Sequence, residues 1–371
     1  MQPQEAARRV LCVKLHRLLA MKLRNRLSIA AILVPTLCSA AMAQDAAPSD
    51  PTTATTLHVQ SQLVLVPTTV TVGKGDKAEA LYELRPDQFV VEDNGVRQRI
   101  RIDESEDARP MSLVIAVQCS RSAIAEFNKL EGLPTMIDAL IGGAPAEVAV
   151  EQFGTGEELL AGFTHTDDDR NAALAKIRPC DDDGGANIFD AVDYANTLLE
   201  AHKATGRRAV LLISETRDHG SETKPEVVIH ELGRSNTVVY SMAFSPERDE
   251  MGDDIKYGGG GGILSLLFAA VQAARKNAAK EFASMSGGEY INFRTQKSFD
   301  HGLNTLANTA HNFYLLSFTP RFPDDAQKNA SAPGLHKITV KIPEYPKATV
   351  HFRETYWMGD PNDPTPSVPV K

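Results

Sequence analysis

Apolar and polar positions along this chain follow two different periods, and the change from one to the other divides it. Between residues 57 and 108 the apolar runs are short and β-branched: Leu63-Val64-Leu65-Val66, Val70-Thr71-Val72, and the stretch from Phe89 to Ile100. In that stretch Asn94-Gly95 stands between two strand-like runs. Asn-Gly tolerates the positive φ angles of a two-residue type I′ turn, so the pattern predicts a hairpin, with Arg97 and Arg99 on a solvated face alternating with Val96, Gln98 and Ile100.

From Arg109 strands alternate with helices. Met111-Ser112-Leu113-Val114-Ile115-Ala116-Val117 is apolar-dominated and stops abruptly at the polar turn Gln118-Cys119-Ser120-Arg121-Ser122, as a buried parallel strand feeding a helix does. Ligands bind at such turns in open α/β sheets. The pattern then predicts a helix from Ile124 to Leu140, strands at Glu147–Phe153 and Leu159–Phe163, and a helix begun by Asp167-Asp168-Asp169 with Thr166 as its cap. A helix from Ile188 to His202 and a buried strand from Arg208 to Ser214 follow. Thr223 and Glu226, with Pro225 between them, predict a capping box for a helix reaching Leu232. A strand at Val238–Phe244, an insertion at Pro246–Gly262, a long helix from Ile263 to Met285, a strand at Glu289–Phe293 and a helix at Ser298–His311 complete the block. The alternation predicts an α/β fold with a doubly wound, mostly parallel sheet over residues 109–312.

Residues 313–357 return to β-structure at Phe313–Pro320, His336–Ile342 and Thr349–Arg353, and 358–371 form a tail rich in Pro and Asp. Neither flanking β segment is comfortable alone, so the N- and C-terminal segments are expected to pair into an accessory β-sandwich at the base of the α/β block.

The first residues belong to export rather than to the fold. Met21-Lys22-Leu23-Arg24-Asn25-Arg26 is a basic start, Leu27 to Leu37 an apolar run, and Ala41-Met42-Ala43 a small-residue site, so cleavage is expected before Gln44. Residues 1–43 thus read as a signal peptide with an over-extended start, and 44–56, rich in Ala, Pro, Thr and Asp, as a flexible lead-in. An uncleaved anchor is the rival reading, disfavoured because the apolar run is short and broken by Pro35. The expected location is periplasmic, secreted or cell-surface, with no membrane span in the mature chain.

The chain has 371 residues, 42% apolar and 23% charged, which suits two or three globular domains. Its net charge is −9, and removal of residues 1–43, with seven Lys/Arg against one Glu, makes the product more acidic still. With no clustered basic face, this argues against nucleic acid and against anionic membrane surfaces.

The run from Met111 into Gln118-Cys119-Ser120-Arg121-Ser122 resembles the first strand and metal-site loop of von Willebrand factor type A domains, where an apolar strand enters Asp-x-Ser-x-Ser. Glu83-Leu84-Arg85-Pro86-Asp87-Gln88-Phe89-Val90-Val91-Glu92-Asp93-Asn94-Gly95 and Phe313-Tyr314-Leu315-Leu316-Ser317-Phe318-Thr319-Pro320, flanking that core, are similar to an exported type A-related family common in acidobacteria. The resemblance covers most of the mature chain. It implies a type A-like, Rossmann-like fold and a non-enzymatic role in adhesion or protein–protein interaction, with an unidentified protein partner.

In that family the ion is held by the Asp-x-Ser-x-Ser loop, a Thr of a second loop and an Asp ending a later strand. These positions correspond here to Gln118, Ser120, Ser122, Ala186 and Glu215. Only one anionic group remains among them, while magnesium and calcium want hard, preferably anionic oxygens, and Arg121 adds a positive charge. A degenerate metal site and no cofactor are therefore expected, although the Gln118 carbonyl leaves weak magnesium or calcium binding open.

Other motifs point to no catalytic set. Ser221-Glu222-Thr223-Lys224 matches Ser-x-x-Lys without an accompanying Lys-Thr-Gly, the aspartate runs lack calcium-loop spacing, Gly258–Gly262 lacks the Lys of a phosphate loop, and the histidines form no His-Glu-x-x-His. The alternative function is an envelope enzyme using Glu215 or Asp218 as acid/base at the ligand edge of the sheet. Cys119 and Cys180 are the only cysteines left after export, into a compartment that permits disulfides. The resemblance implies that their loops converge on one site, which permits a bond between them, but convergence does not fix side-chain direction, and a small buried filler at Cys119 with an incidental loop residue at Cys180 is the reading given more weight.

Overall fold

The computed structural model describes residues 63–73, 79–103, 110–180, 184–203, 206–244, 263–322 and 331–359, all within Gln60–Lys371. The expected signal peptide, the lead-in, the 246–262 insertion, Asp181 to Asp183 and the tail beyond Gly359 lie outside these residues.

Five strands come first: β1 (Val64–Val72), β2 (Glu79–Ala80), β3 (Val90–Asp93), β4 (Val96–Arg97) and β5 (Ile100–Asp103). The two runs expected at Leu63–Val66 and Val70–Val72 are one strand. It passes through Pro67 because proline removes a donor and keeps its acceptor, and the Pro67 carbonyl accepts from Arg353 N at 3.3 Å. Asn94 and Gly95 turn the β3–β4 hairpin with φ of 45° and 82°.

The α/β block runs β6 (Met111–Gln118), a 3₁₀ stretch (Arg121–Gly132), α1 (Leu133–Ile141), β7 (Ala146–Phe153), β8 (Glu157–Thr164), α2 (Asp167–Leu174), α3 (Ile188–His202) and β9 (Arg207–Glu215). It continues with α4 (Pro225–Ser235), β10 (Val238–Phe244), α5 (Ile263–Lys276), α6 (Ala278–Ser286), β11 (Tyr290–Phe293) and α7 (Gln296–His311). The last strands are β12 (Tyr314–Phe318), β13 (Gly334–Lys341), β14 (Thr349–Phe352) and β15 (Thr355–Met358).

Several expectations are corrected. The helix expected from Ile124 to Leu140 is α-helical only from Leu133. Pro134 sits in the first turn of α1, where its missing N–H costs nothing, and the residues before it hold the tighter 3₁₀ form. The long helix expected over Ile263–Met285 is two, because the Asn277 side chain leaves the helical path to cap α6, accepting from Lys280 N at 2.8 Å. The capping box of Thr223 and Glu226 does not form. Lys224 is the cap residue of α4, and Thr223 N donates instead to Asp190 Oδ1 at 2.8 Å. The boundary expected before residue 358 falls inside β15, which ends at Met358 and which the periodicity did not announce. Thr166 does cap α2, accepting from Asp169 N at 3.1 Å.

The large sheet has the order β11-β10-β9-β6-β7-β8, parallel at every pairing except β7/β8. It is therefore mixed. The reason is covalent: the tight turn Gly154-Thr155-Gly156 joins β7 to β8, and only antiparallel strands close so short a connection. Met111, Leu113, Ile115 and Val117 of β6 share one apolar cluster with Ile137 of α1, Leu174 of α2 and Phe299 and Leu303 of α7. Val114 and Ala116, of opposite parity, are equally buried, and α3 packs against β6 and β9. Residues outside the block form two small sheets, β14-β1-β12-β5 with β2 on β1, and β15-β13-β3-β4. Val64, Val66 and Leu316 of the first bury one cluster with Val91, Ile338 and Tyr356 of the second.

Candidate functional site

The parallel register aligns Val117 with Ile213, so Gln118 and Glu215 leave neighbouring strands side by side. Gln118 is fully buried, and its Oε1 accepts from Glu215 N at 2.8 Å. A backbone N–H can only donate, which fixes the amide the other way round for its remaining bonds. Nε2 accordingly donates to Ser120 Oγ at 2.8 Å and to Ser122 Oγ at 3.0 Å. The two serine oxygens, 3.4 Å apart, both face the amide nitrogen; Ser120 is buried, and Ser122 and Arg121 are exposed.

A magnesium or calcium ion needs oxygen lone pairs converging on it, and here the two serine oxygens accept from the amide nitrogen while the Gln118 oxygen accepts from Glu215 N. Ala186 contributes a buried methyl group and no ligand. Its backbone makes a two-bond bridge with His219, N to O at 3.1 Å and O from N at 2.9 Å. The buried Glu215 carboxylate has His219 Nε2 4.0 Å from Oε2.

Cys119 and Cys180 are joined by a disulfide with their α-carbons 5.1 Å apart, and Cys180 N donates to Cys119 O at 2.8 Å. The loop after β6 and the segment leading to α3 are thus held together covalently and by backbone.

Asp218 is committed to the start of α3. Its Oδ1 accepts from Phe189 N at 3.0 Å and Ser221 Oγ at 2.5 Å, while Ser221 Oγ accepts from Asp190 N at 3.2 Å. Asp190 reaches back, taking Glu222 N at 2.9 Å and Thr223 N at 2.8 Å. Acidic groups at a helix N-terminus satisfy its free N–H groups and complement its dipole, so these carboxylates lock the 218–223 loop onto α3. Sequence reading missed Asp190, whose only signal was its place in the first turn of the expected helix.

It missed Glu151 too. This β7 residue is fully buried with neither carboxyl oxygen hydrogen-bonded, and burial, then the charge of Glu157, pushes its pKa well above the usual range. Tyr194 nearby is raised to about 12 by burial and then by Glu151 and Glu157. The signal was a glutamate inside an otherwise apolar strand. In the small sheets His336, Asp93 and Tyr356 form a buried group, with His336 Nδ1 2.7 Å from Asp93 Oδ1 and Tyr356 OH donating to Asp93 Oδ2 at 2.5 Å.

No family model matches the chain, and no curated protein matches it. Solved structures show weak likenesses. Proximal thread matrix protein 1 from the mussel byssus, with a zinc-occupied MIDAS motif, is 14% identical with a TM-score of 0.41, over 60% of this chain and 50% of that one. The conserved hypothetical protein BatB from Bacteroides thetaiotaomicron is 15% identical, TM-score 0.36, over 53% and 99%. The PilB minor pilin from Streptococcus sanguinis is 11% identical, TM-score 0.38, over 57% and 63%. The chain spans about half the length of the thread matrix protein, and these likenesses bring no residue roles to it.

Proposed function

We propose that this chain is an exported, non-enzymatic interaction module of von Willebrand type A-like, doubly wound architecture carrying an accessory β-sandwich, and that it docks a protein partner on the rim made by Gln118, Ser120, Ser122, Ala186 and Glu215 without a metal ion. The observation that carries this reading is the Gln118 amide. It bonds Ser120, Ser122 and the Glu215 backbone at once, so the convergence of loops is held by a side chain where the family holds it with an ion. The disulfide supports the same loops. Residues 109–312 carry the rim, with 57–108 and 313–357 as the β part. Among the described residues no helix is long and apolar enough to cross a membrane.

The enzyme reading has less support. Asp218 spends its Oδ1 on Phe189 N and Ser221, and the exposed His219 lies 4.0 Å from Glu215, beyond hydrogen-bond reach.

The test is capture of the partner from the exporting host by the mature chain, with and without chelator, and by Arg121→Glu. Capture is expected to survive the chelator and to be lost in the variant, which reverses the exposed charge on the rim. Loss on chelation would establish an ion-dependent site, and full capture by Arg121→Glu would place the partner elsewhere.

A further inference from the structure

We propose that the Cys119–Cys180 disulfide is a redox-sensitive tether: a dithiol reductant opens it in the folded chain, and opening it uncouples the two halves of the rim. The tether acts on the rim proposed above and so rests on that reading. Cys119 stands between Gln118 and Ser120, which hold the first half of the rim, and Cys180 begins the approach to Ala186 and Asn187 in the second. The bond therefore crosses from one half to the other.

Its two sulfurs are unequally placed. Cys119 is 2% exposed, whereas Cys180 is only half-buried and follows the exposed Arg178 and Pro179. Thiol–disulfide exchange needs an accessible sulfur, so an incoming thiolate meets Cys180 first. The buried sulfur, for its part, has a partner waiting. Cys119 Sγ lies 3.3 Å from Phe153 O, the carbonyl that also accepts from Cys119 N at 2.8 Å. A disulfide sulfur carries no hydrogen, so this contact is idle while the bond is closed; the thiol formed by reduction donates across it. A buried donor left without an acceptor would penalise the folded state, and Cys119 avoids that penalty in its reduced form.

In the reaction a thiolate of the reductant attacks Cys180 Sγ, the sulfur–sulfur bond breaks with its electron pair going to Cys119 Sγ, and Cys119 takes up a proton. The reductant's second thiol then displaces Cys180, which leaves as a thiol, and the reductant departs as its own disulfide. The protein gains two electrons and two protons, both supplied by the dithiol. The backbone bonds from Cys180 N to Cys119 O at 2.8 Å and from Asn187 N to Gly154 O at 3.0 Å do not involve sulfur, so the strand ends keep their neighbours while the covalent link between the halves is gone.

The experiment takes the mature chain, disulfide intact, through graded dithiothreitol in native buffer, with acid quenching, alkylation in denaturant and intact mass to count thiols. Trp357 fluorescence is followed alongside, because that ring packs on His230 of α4 and reports on the fold rather than on the rim. Both cysteines are expected to become thiols with the fluorescence unchanged, and amide exchange at residues 119–123 and 184–190, but not in β13, to become about tenfold faster as local opening grows easier. Reoxidation with glutathione disulfide should restore slow exchange, and the mixed disulfide trapped on the way should sit on Cys180. Thiols that emerge only together with loss of the Trp357 signal would overturn the proposal. So would exchange at the rim that ignores the state of the bond, or a mixed disulfide on Cys119. The rim reading fails separately, through partner capture that survives Arg121→Glu with the bond closed.

Discussion

Glu151 is buried in a strand of the large sheet with no hydrogen-bond partner, so its charged form has nothing to compensate the loss of water and the native state keeps its proton. The sign of the consequence follows from its raised pKa. The unfolded chain releases this proton near the ordinary value, about 4.3, while the native chain holds it to a higher pH. The contribution to stability is complete below the unfolded pKa and is lost as pH rises toward the folded one, by up to about 1.4 kcal/mol per pH unit. Glu151→Gln cannot ionise and escapes that loss. Urea melts of parent and variant should show the variant gaining on the parent as pH rises above the ordinary carboxyl range, over a constant offset for burying the amide. A difference that does not change with pH would mean that Glu151 finds a partner in solution. At this scale the sequence showed which residue types stood where. It could not show that Gln118 accepts from Glu215, 97 positions away, because that bond exists only once two strands lie side by side.

Between elements, the disulfide joins the end of β6 to the segment that enters α3, across a sequence separation of 61. Closing a loop of that size constrains the unfolded chain by about 4 kcal/mol in the entropy model. The double variant Cys119→Ser/Cys180→Ser should therefore lose about 2–4 kcal/mol in urea melts, and peptide maps of the non-reduced parent should link residues 119 and 180. Free thiols at both positions in exported protein would end this account. The helix α3, the strand β10 and the Asn94-Gly95 hairpin were readable in advance because their causes are local: apolar spacing, and two residues that accept positive φ. The antiparallel turn into β8 was also local, in the short gap between two strand-like runs, and the expectation of a mostly parallel sheet passed over it. The break at Asn277 was harder to read, since asparagine caps some helices and sits inside others.

Across the whole molecule, Arg353 ties the small sheets to the α/β block. It reaches Leu65 O of β1 at 3.3 Å and Gly233 O of α4 at 2.7 Å. Gly233 allows the approach: a β-carbon there would stand 2.9 Å from Trp357 N. Trp357, the single tryptophan, packs its ring 4.5 Å from His230 of α4 and so reports on this junction. Arg353→Met would leave its carbonyl partners buried and unpaired, at a cost of about 3–5 kcal/mol. In guanidinium titrations the parent's Trp357 fluorescence and far-ultraviolet circular dichroism should change together, and in the variant the fluorescence should change first. Coincident transitions in both proteins, with unchanged stability, would show that Arg353 is not what holds the junction.

The sequence by itself determined the alternation of strands and helices in the central block, the strand that ends at Gln118, the hairpin, and the poverty of anionic ligands at the rim, because each depends on residue type and near neighbours. Tertiary structure decided the rest. That Gln118 turns its amide nitrogen to two serines, that Asp190 and Asp218 lock a loop onto a helix, and that Arg353 meets five neutral acceptors are outcomes of pairings between distant segments. Hydrogen-bond direction and buried charge depend on the few ångströms around an atom. Those surroundings exist only after the strands have found their register and the apolar faces have closed.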